Sequence, residues 1–195
     1  NINTNLAVFY SDYKFNLGIQ SENFEWDNVI KSYGLTYNWN HTLSEKLKLN
    51  YGIDGQYYDF NPGTVQPTSS DSQFNYKQLD KKYAFESSVY LDVEHQLSEK
   101  LNLRYGLRYS AFNRLGAETI STYENGQAVV YNPLYNIYEE GTPTGSTTYK
   151  SGQSISTFNN LEPRAALSYA FNENTSIKAS YNRMAQYIHI LSNTQ

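Results

Sequence analysis

The feature that most limits this chain is a phrase written twice. His41-Thr-Leu-Ser-Glu-Lys-Leu-Lys-Leu-Asn-Tyr-Gly52 returns as His95-Gln-Leu-Ser-Glu-Lys-Leu-Asn-Leu-Arg-Tyr-Gly106, 54 residues later. Each copy is a polar turn followed by residues that alternate between apolar and polar. A third, worn copy runs Tyr169-Ala-Phe-Asn-Glu-Asn-Thr-Ser-Ile-Lys-Ala-Ser180. A repeated supersecondary unit points to copies of one element set side by side. Turn-then-strand, repeated, predicts an up-and-down antiparallel sheet with short turns on one side.

Period-2 alternation carries the rest of the chain. It predicts strands over 5–19, 26–41, 46–60, 82–97, 101–112, 158–171 and 176–190. In the second, Tyr33, Leu35, Tyr37 and Trp39 share a face opposed to Ser32, Gly34, Thr36 and Asn38. In the fifth, Leu103, Tyr105, Leu107 and Tyr109 oppose Asn102, Arg104, Gly106 and Arg108. The first strand alternates less cleanly. About seven strands result, and no helix.

The turns also predict register. With Ser98, Glu99 and Lys100 as the loop, Val93 faces Tyr105, Leu91 faces Leu107 and Glu94 faces Arg104. The same count sets Trp39 against Tyr51 and Tyr37 against Ile53. In the third copy it sets Tyr169 against Ile177 and Leu167 against Ala179. A slip of one residue would turn every apolar set to the wrong side.

Alternation does not say what the apolar face meets. A soluble β-protein hides it against a second sheet; a membrane barrel shows it to lipid. Hydrophobic residues make up only 39% of the 195 residues, against the roughly 45–50% usual for a globular domain. Twenty tyrosines suit half-wet positions better than a dry core. Strands of this length exceed the ~5–6 residues common in globular sheets. Their apolar face is graded: Tyr83, Phe85 and Tyr109 at one end, Val89, Leu91, Val93 and Leu107 between, and Trp39, Tyr51 and His95 near the turns. Such grading, which Tyr37 and Tyr105 break, is what a bilayer asks for. No apolar run is long enough for a membrane helix, which says nothing against strands.

Connections opposite the short turns (near 42–46, 97–100 and 172–175) are long, at 61–81 and 113–157. Only 20–25 is short there. Short periplasmic turns and long extracellular loops are the asymmetry of an outer-membrane barrel. Bacterial single-chain barrels use even strand numbers from about 8 upward, and open edges are not tolerated in lipid. Seven strands therefore mean either that one strand is unread or that the chain is an arc of a larger barrel; the abrupt ends favour the arc, with 1–195 part of one barrel domain. The chain starts at Asn1 without Met or leader, and reads as a mature product or an excerpt.

The last third carries a family resemblance. Glu162-Pro163-Arg164, the strand Ser176-Ile-Lys-Ala-Ser-Tyr181 and the tail Gln186-Tyr-Ile-His189 resemble the mid-barrel of TonB-dependent outer-membrane receptors, in the style of Bacteroidetes. That resemblance implies a barrel of about 22 strands, filled by an N-terminal plug. It implies uptake of a nutrient such as a siderophore, haem, cobalamin, glycan or peptide, driven through TonB. Some such receptors, the SusC-type glycan importers, pair with a surface lipoprotein. The residues themselves leave open a passive porin and a soluble carbohydrate-binding β-protein.

Candidate chemistry is sparse. A net charge of −4 argues against a nucleic-acid partner, and the absence of cysteine excludes disulfides and thiolate sites. His41, His95 and His189 are scattered and show no catalytic or metal-ligand spacing. No enzyme activity, cofactor or metal is expected, and no ligand-binding residue is assigned. Glu94 with Arg104, and Arg108 nearby, read first as cross-strand pairing on the polar face. Arg164 after Pro163 reads as structural. Tyr123, Tyr131, Tyr135, Tyr138 and Tyr149, among Asn132, Asn136, Glu139 and Glu140, suit ligand contact or packing of the loop on itself. Asn40-His-Thr42 and Asn174-Thr-Ser176 match glycosylation sequons but read as turn chemistry.

Overall fold

A computed structural model of the chain describes residues 1–19 and 23–188. Seven long strands form one antiparallel sheet. They are β1 (Ile2–Ile19), β2 (Phe24–Ser44), β3 (Leu47–Pro67), β5 (Lys82–Gln96), β6 (Leu101–Leu115), β11 (Ser154–Asn172) and β12 (Thr175–Asn182). Their spatial order is their chain order, as in an up-and-down barrel wall. The two-residue β4 (Lys77–Gln78) doubles back onto β3.

The turns set the register as the sequence predicts. Val93 pairs with Tyr105, Leu91 with Leu107 and Glu94 with Arg104. Trp39 pairs with Tyr51 and Tyr37 with Ile53. Tyr169 pairs with Ile177 and Leu167 with Ala179. The Leu97 amide donates to the Leu101 carbonyl at 2.9 Å, which closes the Ser98–Lys100 loop.

Burial is inverted relative to a water-soluble sheet. Val8 is 74% exposed and Val89 53%, while Asp92 and Ser110 are each 2% exposed. Among the described residues Ala84 is the one buried hydrophobic. The apolar face is therefore convex and outward, and the polar face lines the concave side. A 21-residue strand such as β2 is about 70 Å long at roughly 3.4 Å per residue. Tilted by about 40°, it rises about 54 Å, well beyond the ~30 Å hydrocarbon core.

Aromatic rings mark both margins of the outer face. Tyr10, Tyr33, Tyr57 and Tyr83 form a row with successive centroid spacings of 5.0, 6.4 and 6.2 Å. Next to the short turns Tyr169 meets Phe171 edge-on at 5.0 Å, while the Trp39–Tyr51 stack, at 5.5 Å and expected near the turns, lies further in, on the rung of Leu91 and Leu107. Leu35, Ile53, Val89, Leu91 and Leu107 lie between the two margins.

Several boundaries differ from the sequence expectation. β3 runs on to Pro67 through a bulge, where Pro62 and Gly63 stand opposite the single Asn28. Gly63 has φ +85°, and a side chain there would collide with the Asp27 carbonyl. The connection 113–157 is not irregular. β6 extends to Leu115, and β7 (Glu118–Tyr123) pairs with β10 (Pro143–Tyr149). Inside that ribbon β8 (Val129–Asn132) pairs with β9 (Ile137–Glu140). These strands branch away from the main sheet and have no fully buried side chain, and so carry no alternation to read. The final strand ends at Asn182 rather than running to 190. Its neighbour β11 has Pro163 at the next rung, and proline has no N–H for the ladder. Part of the 20–25 connection, residues 189–190 of that strand, and His189 lie outside the described residues.

Candidate functional site: the lumenal face

The concave face is built from rows of residues that cross the sheet. Register alone fixes four of them over β3, β5, β6 and β11. Asp54, Ser88, Ser110 and Asn160 form one row, and Gly52, Tyr90, Arg108 and Glu162 the next. Then come Asn50, Asp92, Gly106 and Arg164, and finally Lys48, Glu94, Arg104 and Ala166. Strand alternation points all of them inward, where water or a filling domain can solvate charge.

A glycine in each full copy of the repeated phrase acts as a saddle. Gly106 lies between Asp92 and Arg164, and Arg164 reaches over it to form a two-pronged ion pair with Asp92. A Cβ on Gly106 would lie 2.0 Å from Asp92 Oδ1. Gly52 lies between Asn38 and Tyr90, and the Tyr90 hydroxyl reaches over it to donate to Asn38 Oδ1 at 2.7 Å. A Cβ on Gly52 would meet that Asn38 oxygen at 2.6 Å. The Arg164 guanidinium carbon lies 5.7 Å from the Tyr90 ring centroid. Asn38, Tyr90, Arg164 and Asp92 thus form one belt spanning β2 to β11.

Next to the belt, Arg108 lies 3.3 Å from Asp54 Oδ2, which also accepts from Ser88 Oγ at 2.9 Å. Glu162, itself buried, accepts from Ser110. Tyr187 folds back onto this point after β12 ends. Its hydroxyl donates to the Ser110 carbonyl at 3.1 Å and accepts from Asn160 Nδ2 at 3.1 Å, and its ring stacks on Phe112 at 5.4 Å. Tyr58 and Phe60, stacked at 5.5 Å, continue an aromatic lining towards the long connections. Towards the short turns, Lys48, Glu94, Arg104 and Lys178 line an open groove of about 640 Å³.

The pairing of Glu94 with Arg104, expected from the turn, is loose, at 3.8 Å between two half-exposed groups. Such a pair contributes about 0–1 kcal/mol. Arg164 holds the tighter pairing, with Asp92, a residue that nothing in the sequence singles out. His41 and His95 fall on the outward parity near the turns. Among the described residues no His, Asp or Glu cluster could hold a metal.

The tyrosines of 113–157 divide. Tyr131 packs its ring 5.2 Å from Tyr138 and donates to Asn136 Oδ1 at 2.5 Å. Tyr123 donates to Glu140 at 3.4 Å, and Tyr149 closes the β7–β10 ribbon against Glu118. Tyr135 and Tyr138 stay 66% and 75% exposed at the ribbon tip. The root of the ribbon is fastened by Glu118, which accepts from both Lys82 and Arg114. Burial opposes the Glu118 charge, but these two cations outweigh it and hold the carboxyl below the usual glutamate range.

The sequence model described as "TonB dependent receptor-like, beta-barrel" matches residues 1–185. The chain belongs to this family. TonB-dependent receptors are outer-membrane transporters rather than enzymes, which places this receptor barrel in the bacterial outer membrane. No curated protein matches it. Among solved structures it is similar to the FrpB iron transporter of Neisseria meningitidis. The F5-1 variant aligns at 16% identity and a TM-score of 0.46, over 81% of this chain and 20% of that one. The F3-3 variant aligns at 18% and 0.46, over 81% and 20%. The F5-1 apoprotein aligns at 18% and 0.47, over 81% and 21%. This receptor chain spans about a fifth of the length of those transporters.

Proposed function

We propose that this chain is part of the wall of an energised outer-membrane importer that takes up a scarce nutrient, such as a siderophore, glycan or peptide. The observation that carries the reading is the inverted sheet: a polar, ion-paired concave face beneath an outward apolar band with aromatic margins, in a chain of the receptor family. Its two edge strands, β1 and β12, each have one partner among the described residues. Open edges are not tolerated in lipid, so further strands must complete the circle, about 22 in all. The concave face then takes a plug domain, and TonB couples that plug to the proton-motive force. On this reading the short turns are periplasmic and the connections 61–81 and 113–157 are extracellular.

The aromatic upper lumen and the exposed tips Tyr135 and Tyr138 favour cargo with flat faces and hydroxyls, as sugars and aromatic siderophores have. A surface lipoprotein closing over this rim, as in the SusC-type importers of Bacteroidetes, is the finer form of the proposal. The test uses the full-length protein. Uptake of labelled siderophores, glycans and peptides into cells should depend on this protein and stop when an uncoupler removes the proton-motive force. Proteoliposomes carrying it should not swell in small sugars. Free swelling, or uptake indifferent to the uncoupler, would turn the reading to a passive porin.

A further inference from the structure

One pocket on the concave face holds polar groups that the wall itself does not use. Phe9, Gly34, Gln56 and Glu86 stand side by side in register across β1, β2, β3 and β5. Thr36, Asp54 and Ser88 form the row beside them, towards the short turns. Phe9 faces inward by the same parity that turns Val8 and Tyr10 outward. Its ring reaches across Gly34, where a Cβ would lie 2.0 Å from Phe9 Cζ. Glycine at this position thus lets the ring lie over β2 as one wall of a pocket of about 190 Å³. Thr36, Asp54, Gln56, Glu86 and Arg108 supply its polar walls. Phe9 stays 43% exposed.

Size, hydrogen-bonding capacity and charge together select a ligand. The volume falls below the roughly 300–1,000 Å³ of pockets that take drug-sized molecules, so it suits a single ring of a larger cargo. Ser88 donates to Asp54 Oδ2 at 2.9 Å, and Arg108 lies 3.3 Å from the same oxygen. Among the described residues this leaves Glu86 with no cation within 4.0 Å, and Gln56 and Thr36 with no side-chain hydrogen bond. Free acceptors on Glu86 and Gln56, and free donors on Gln56 and Arg108, therefore stand around one exposed ring. Hydroxyl groups both donate and accept, so a hydroxylated ring uses this mixed set while its C–H face covers Phe9. The local charge is negative. Asp54, Glu86 and Glu162, the register neighbour of Arg108, face a single guanidinium. Lys82 and Arg114, nearer the long connections, are held by Glu118. An anionic cargo group is repelled here, and a cation would leave the donors of Arg108 and Gln56 unused.

We infer that this pocket is a subsite for one uncharged sugar ring of a glycan cargo, with Phe9 against the ring face and Gln56, Glu86 and Arg108 on its hydroxyls. The inference rests on the importer reading and narrows its cargo. The pocket adjoins the level of Tyr10, Tyr33 and Tyr57, on the long-connection side of the belt, where incoming cargo meets the wall first.

The test uses the full-length protein in detergent and saturation-transfer NMR. The probes are neutral oligosaccharides of glucose, mannose, galactose, xylose and fructose, with oligogalacturonate and hexalysine beside them. At least one neutral oligosaccharide should receive saturation from the wild type, and more than oligogalacturonate of equal length does. Phe9→Ala should weaken that binding about tenfold. Gln56→Ala should weaken it too, and Glu86→Gln should narrow the preference for neutral over acidic chains. Lys31→Gln, on the outer face, should bind as the wild type does. Absence of transfer to every neutral probe would overturn the inference, as would binding unchanged in both Phe9→Ala and Gln56→Ala. Tighter binding of hexalysine or oligogalacturonate than of any neutral probe would overturn it as well. Uncoupler-sensitive import of a siderophore or peptide beside such a result would leave the importer reading standing. Sugar binding together with free swelling would uphold the pocket and remove the importer.

Discussion

Asp92 on β5 and Arg164 on β11 form a two-pronged ion pair although β6 runs between their strands. The pair exists because the residue between them is Gly106. Asp92 is almost wholly enclosed, so its charge depends on this one guanidinium and its surroundings.

Gly106→Ala should therefore behave as an ion-pair mutant. The new methyl would occupy the space of Asp92 Oδ1 and drive Asp92 and Arg164 apart. Removing the partner of a buried charge costs about 3–5 kcal/mol, and a third-exposed Arg164 puts this case near the lower end. Urea unfolding of the full-length barrel in vesicles should show that loss. Gly106→Ala and Arg164→Gln should be strongly non-additive in a double-mutant cycle. Additive effects would mean that the glycine serves something other than this pair.

The outer face predicts a depth-dependent penalty. Leu91 lies between Tyr51 and Leu107 on the outward side. Leu91→Arg should cost about 2–4 kcal/mol, the range for arginine near the bilayer midplane. Ser168→Arg, on the lumenal face beside the open groove, should stay within about 0.5 kcal/mol of wild type. The same urea titration compares the two.

Much of this fold is legible in the sequence, for a definite reason. Leu91 with Leu107 and Trp39 with Tyr51 follow from short turns and strict alternation, and both are local in sequence. Asp92 with Arg164 does not follow. The two are 72 residues apart, separated by a third strand and by the 113–157 connection. A hint lies in the glycines that end both copies of the repeat, each set mid-strand on the polar face. The β7–β10 ribbon is not legible because neither of its faces is buried, so its pattern has no period. Pro163 stands out as part of a motif, but its effect on the ladder of β12 becomes clear only with the pairing known.

Acid should loosen the root of the long ribbon. The Glu118 carboxyl is held below its ordinary value of about 4.3, so its stabilising contribution is fully present above that pH. It is lost as pH falls through the depressed folded value. Amide exchange over residues 114–123, corrected for the intrinsic rate, should rise between pH 7 and pH 3 in the wild type. In Glu118→Gln it should be fast at both. A wild-type profile flat with pH would show that Lys82 and Arg114 do not fasten the ribbon through this carboxylate.

The central claim is that the apolar face of these strands meets lipid and the polar face the lumen. These 195 residues contain no cysteine, so once any cysteine elsewhere in the full-length protein is replaced, single cysteines can be placed from residue 85 to 92 of β5 and spin-labelled in vesicles. Collision with oxygen dissolved in the bilayer should alternate with period 2. It should be high at Phe85, Ser87, Val89 and Leu91, and low at Glu86, Ser88, Tyr90 and Asp92. The opposite phase, or no alternation, would contradict the account.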